Sequence, residues 1–175
     1  MGEELIPFGS LAYWVFLGLL LFSRGMDFLS TWVATPNLQL EANPIARRLG
    51  WRWGIPLNLV FCGGFAAWPL PAIIISTTSL LVAGRNFQSA WIMRSMGEAR
   101  YRCWMAERMG ETSLSLFIFC VVSQAALYSI IGAALIWLSD WRLAPFGIGA
   151  GIITYALAVL LYTLLSLWRF RRPLG

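Results

Sequence analysis

Arg24, Asp27, Ser30 and Thr31 sit three, three and one residues apart inside a run that is otherwise almost wholly apolar over residues 8–34. On an α-helix that spacing gathers them on one face, with Arg24 one turn ahead of Asp27. Insertion scales charge about 2.5 to 3.5 kcal/mol for an Asp or Arg at the centre of a span, so such residues face a protein interior, pair, or mark a pathway. Glu41 and Asn43 follow in the polar stretch Glu41-Ala42-Asn43-Pro44. Two readings stand side by side. In the first, Arg24 and Asp27 neutralise each other, Ser30 and Thr31 bond back to helical carbonyls, and the face specifies packing. In the second, Arg24, Asp27, Ser30, Thr31, Glu41 and Asn43 line a ligand site near the outer leaflet, closed by the turn at 41–44. Oxygen donors of this kind suit a hard cation such as magnesium, calcium or manganese, which makes Asp27 and Glu41 the candidate metal ligands.

Other chemistry is narrowed by what the chain lacks. It has no histidine, which removes His-ligated haem, the Ser-His-Asp triad and His-based zinc sites. Cys62, Cys103 and Cys120 stand far apart and form no cluster for zinc, iron–sulfur or a disulfide framework, so any cofactor is left unknown. All 13 basic residues are arginine, scattered between apolar runs with no solvated basic face, so nucleic acid is not an expected partner. Gln124, in the middle of a later apolar run, is expected to hydrogen-bond to a neighbouring helix, with the polar face of the first run as the candidate. Asn86 and Arg94 are candidates for holding a lipid headgroup.

The elements that must position these residues are membrane helices. Hydrophobic residues make up 59% of the 175 and charged residues 12%, with a mean hydropathy of +0.70, far from the roughly 25% charge of an ordinary soluble domain. The composition predicts one membrane domain, 1–175: an all-α integral membrane bundle of about four transmembrane helices plus an interfacial segment. The spans are expected at 8–34, 54–84, 112–138 and 145–168. The second is too long for one upright helix and carries Pro56 and Pro69-Leu70-Pro71, which predicts a kink or break near Trp68. Between them, 86–109 reads as a surface helix, its aromatic and methionine residues spaced by three and four and Gly97 dividing it. Small residues at Ala125, Ser129 and Ala133, and at Gly147 and Gly151, allow close helix approach.

Counting arginines by segment, the two termini and the 85–111 segment hold eight, against four in the other two loops. That bias predicts both termini in the cytoplasm, with Arg47, Arg48 and Arg52 on the side that should be poor in positive charge. The acidic start Met1-Gly2-Glu3-Glu4 lacks the basic flank of a signal peptide.

Asp27-x3-Thr31 followed by Glu41-x-Asn43-Pro44 resembles the signature of a family of small, uncharacterised, prokaryotic multi-pass membrane proteins. The resemblance covers about the first third of the chain and implies a prokaryotic inner-membrane location and a joint role for Asp27, Thr31, Glu41 and Asn43. It brings no activity. Three function classes remain: an accessory or scaffold subunit of a membrane complex, which demands least of the sequence; a protein binding or transporting a small solute, ion or lipid; and an intramembrane enzyme. Membrane lipids, other membrane subunits and a second copy of the chain are the expected partners.

Overall fold

Ser10 starts the first helix by accepting the Tyr13 N–H on its Oγ at 3.2 Å, which satisfies one of the donors that a helix start leaves free. The helix, α1, runs Leu11–Ala34. The computed structural model describes residues 5–171, so the acidic start and residues 172–175, with Arg172, lie outside it. Five more helices follow: α2 Pro44–Phe65, α3 Pro69–Met96, α4 Glu98–Glu111, α5 Leu114–Trp137 and α6 Leu143–Arg171. The chain is an all-α bundle in which α1, α3, α5 and α6 are long and apolar enough to cross a membrane.

The region expected as one span over 54–84 is divided between two helices. Pro69 occupies the first turn of α3, where its missing N–H costs nothing, and Trp68 before it is extended. The chain therefore turns at 66–68, where the prolines were expected to break it. Gly50, at φ 62 and ψ −171, separates a short first piece of α2 from the longer piece 51–65.

Cross-links fix the helix directions. The Ile6 N–H donates to the Ala67 carbonyl at 3.0 Å, and the Tyr13 hydroxyl to the Gly63 carbonyl at 3.0 Å. At the other end of α1, the Trp51 indole donates to the Pro36 carbonyl at 2.8 Å and packs 6.0 Å from the Phe28 ring. So α2 runs back along α1, and α3 starts beside the start of α1 and lies parallel to it. Gly147 packs on Ile73 and Gly151 on Thr77, which makes α6 parallel to α3. The Thr78 hydroxyl ties the two, donating to the Ile74 carbonyl at 2.8 Å and to that of Gly151 at 3.0 Å. Helix α5 is antiparallel to α6, with Gly132 on Gly149 and Ile153, and Tyr128 edge-on to Tyr155. Close approach on α5 therefore uses Gly132, while Ala133 of the expected small-residue row is exposed.

These directions add a traverse of the bundle that the four expected spans do not include. Segment 51–65 is about 22 Å long at 1.5 Å per residue and returns the chain from one end of α1 to the other. It escapes a hydropathy reading because Arg47, Arg48 and Arg52 load its start. The chain thus traverses the bundle five times, and its described ends lie at opposite ends of it. The arginines redistribute accordingly. Arg47, Arg48, Arg52, Arg85, Arg94, Arg100, Arg102, Arg108 and the backbone positions of Arg169 and Arg171 all fall at one end, hereafter the basic end, and Arg142 alone at the opposite end.

The expected surface helix over 86–109 is also revised. Its first half continues α3 to Met96, and Gly97, at φ 77 and ψ 152, turns the chain into α4. A side chain at that φ would be strained. Helix α4 buries Glu98, Tyr101 and Met109 at the basic end.

The tightest packing predicts the first mutational outcome. A methyl group at Gly132 would lie 2.6 Å from the Gly149 carbonyl oxygen, and one at Gly149 the same distance from that of Gly132, whereas Gly18 in α1 faces open space. Gly132→Ala and Gly149→Ala should each cost about 1 to 3 kcal/mol of stability, the range for overpacking. Gly18→Ala should be neutral or slightly stabilising, with unfolding in detergent as the measurement.

Candidate functional site

The Arg24 guanidinium joins three helices. From α1, its Nε and Nη2 both donate to Asn58 Oδ1 on α2, at 2.8 and 2.6 Å, and its Nη1 donates to Ser79 Oγ on α3 at 3.2 Å. Nη1 also forms the ion pair with Asp27 Oδ2 at 2.8 Å. Asn58 is oriented by its own helix, since its Nδ2 donates to the Gly54 carbonyl at 2.9 Å and leaves Oδ1 for the arginine. The Phe28 ring lies 5.7 Å from the guanidinium carbon. A second rung joins α1 to α3 one turn nearer the basic end. There the Ser30 hydroxyl donates to the Asp27 carbonyl at 2.9 Å, and Asn86 Nδ2 donates to Ser30 Oγ at 3.3 Å and Thr31 Oγ1 at 3.2 Å.

Glu41 and Asn43 do something local. Asn43 caps α2, its Oδ1 accepting the N–H groups of Ile45 at 2.9 Å and Ala46 at 3.4 Å, and Pro44 takes the first helical position. Glu41 accepts the Asn43 N–H at 2.8 Å. The Glu-x-Asn-Pro segment is therefore a helix-start device, and the Asn43 side-chain oxygen is occupied by it. Glu41 remains close enough to act electrostatically on Asp27. Burial pushes the Glu41 carboxyl above the usual carboxylate range, opposed by the N–H groups of Asn43 and Ala42.

Of the sequence candidates, Arg24, Asp27, Ser30 and Thr31 come together through hydrogen bonds, while Glu41 and Asn43 are bonded within the turn that starts α2. Among the described residues, no group of three or more His, Cys, Asp or Glu is placed to hold a metal ion. Asn86 is corrected from headgroup candidate to interhelical bond. Arg94 is exposed at the basic end, its guanidinium 5.9 Å from the Trp32 ring. Gln124 is corrected as well, since it is exposed on α5 with no hydrogen bond to α1.

Three residues escaped the sequence reading. Asn58 is a lone amide in an apolar stretch, which is the signal that marks such a partner. Ser79 looks like any helical serine. Glu98, between arginines, reads as a solvated charge, yet it is buried and accepts the N–H groups of Asn37 at 2.8 Å and Gln39 at 3.1 Å, clamping the α1–α2 loop to α4. Neither a family model nor a curated protein nor a solved structure matches the chain.

Two outcomes follow from this geometry. Asn58→Leu strands two donors of a charged group and should lower unfolding stability by about 1.5 to 3 kcal/mol. For Glu41 the folded-state pKa lies above the unfolded one, so its contribution is full below the unfolded pKa and lost as pH rises through the folded one. Unfolding curves of Glu41→Gln and the parent should coincide near pH 4 and separate, with the variant more stable, near pH 8.

Proposed function

We propose that this chain is a multi-pass membrane protein with a scaffolding role, an accessory subunit of a membrane complex, set with its basic end in the cytoplasm. The observation that carries this reading is where the polar atoms are used. Arg24, Asp27, Ser30 and Thr31 bond to one another or to α2 and α3, and Glu41 and Asn43 build the start of α2. Helix packing needs such internal pairing, and ligand capture needs groups held open.

The orientation rests on the arginines. Ten at one end of the bundle against one at the other is a strong positive-inside bias, where the segment count alone made Arg47, Arg48 and Arg52 an anomaly. The N-terminus is then outside and the C-terminus inside, and the Arg24 cluster lies toward the inner leaflet. The likeness of residues 24–44 to prokaryotic membrane proteins supports the inner membrane as the location. Exposed Trp91 on α3, and Trp104 on α4 with Arg100 and Arg102, suit a headgroup boundary there, which supports α4 as the interfacial element.

A second reading is favoured by one observation. The Arg24 and Asp27 side chains keep 27% and 18% of their surface accessible and Glu41 acts on Asp27, so a small cation or polar headgroup has an approach. One experiment separates the two. Unfolding is followed with magnesium, calcium, manganese and phospholipid headgroup analogues; the scaffold reading expects no change in Tm. A rise abolished by both Asp27→Asn and Glu41→Gln overturns it in favour of the binding site. Reporter fusions should give a cytoplasmic signal at the C-terminus and a periplasmic one at the N-terminus. The same signal at both ends sinks the orientation.

A further inference from the structure

Helix α5 carries the inference. Among the described residues it packs chiefly on α6, burying Ala125 and Gly132, and much of its remaining surface is exposed. On an apolar surface facing hydrocarbon that requires no explanation, but halfway along it stands Gln124, exposed and hydrogen-bonded to nothing among the described residues. Arg24 and Asn58, in the interior of α1 and α2, are by contrast paired inside the bundle. An amide in lipid has no water to bond, and glutamines at this depth bond across helices.

We propose that the face of α5 bearing Gln124 is the seam of a homodimer, in which the two Gln124 amides bond to each other. A primary amide has both donors and an acceptor, so it complements itself. A two-fold axis along the membrane normal sets the two amides opposite each other at one depth, a match that any other partner would need a polar group of its own to make. Nothing on α5 opposes the pairing, because Leu114–Trp137 contains no charged residue. Cys120, Gln124, Leu127 and Ile131 follow spacings of four, three and four on the exposed face, the repeat of a left-handed helix pair, and Cys120 and Ser123 are small enough to admit close approach. The inference rests on the membrane reading of α5 given above and adds the partner.

Cys120 is exposed on the same face, Cys103 is exposed on α4, and Cys62 is buried between α1 and α2. In a Cys62→Ala, Cys103→Ser chain in native membranes, Cys120 is the one thiol left. A short bis-maleimide should then yield a band of twice the chain mass, absent in Cys120→Ser. Gln124→Leu should weaken the dimer about tenfold, read from dilution in detergent by light scattering, and Gln124→Asn should retain most of it. Because Gln124 is exposed and holds no hydrogen bond among the described residues, the Leu variant should keep the parent's unfolding curve. A monomer at every concentration, a Leu variant that dimerises like the parent, or a cross-link only to a chain of different mass overturns the proposal. Extraction by alkaline carbonate, run beside it, tests the membrane reading separately: a chain that stays in the membrane without cross-linking has failed only the dimer.

Discussion

A guanidinium has five N–H donors, keeps its charge inside proteins and accepts nothing, so burying one among helices obliges its neighbours to supply oxygens. Much of this architecture answers that demand for Arg24. Asp27, one turn along the same helix, provides the counter-charge, and Ser79 one further acceptor. Two of the remaining donors are met only if α2 runs back across the bundle to present Asn58. That return is what lets α3 start where α1 starts and lie parallel to it. An apolar trio of the same shape could fill the space equally well, but it would not fix which helices are neighbours or in which direction they run.

Two kinds of contact divide the bundle. Around α1, α2 and the basic half of α3, helices are joined by side-chain hydrogen bonds: Arg24 to Asn58, Asn86 to Thr31, Glu98 to the loop. Around α5, α6 and the opposite half of α3, they are joined chiefly by proximity, with Gly132 and Gly149 backbone to backbone and Gly147 and Gly151 against α3, supplemented by the Thr78 bond to Gly151. The first kind is specific in direction and tolerant of volume. The second admits no added methyl.

Legibility followed the same division. The long apolar helices α1, α5 and α6 stood out because hydropathy measures what lipid requires, and the Arg24–Asp27 pair because a charge in such a run is anomalous. The break at Trp68 was readable from two prolines. Helix α2 was not, because its arginines, Asn58 and Pro56 lower its average and its place in the bundle is secured by bonds rather than by apolarity. Missing it changed the number of times the chain is expected to traverse the bundle from four to five. Asn43 was grouped with a site on motif proximity, although a residue before Pro44 at a helix start is a cap by ordinary backbone rules. Gln124 was given a partner in α1 from its polarity alone, and periodicity around a single polar residue cannot say which way α5 faces.

The composition of α2 bears on how the chain enters the membrane during synthesis. Segment 51–65 contains Arg52, Pro56 and Asn58 and is short of the roughly 20 apolar residues that partition unaided. Its polar amide is satisfied by Arg24, which in turn is poorly soluble in lipid without that amide. Neither helix is a comfortable solitary passenger in the translocon, and together they form a hairpin whose internal bonds shield both polar groups. Helix α1 should therefore linger at the lateral gate until about thirty further residues have emerged from the ribosome and α2 can join it.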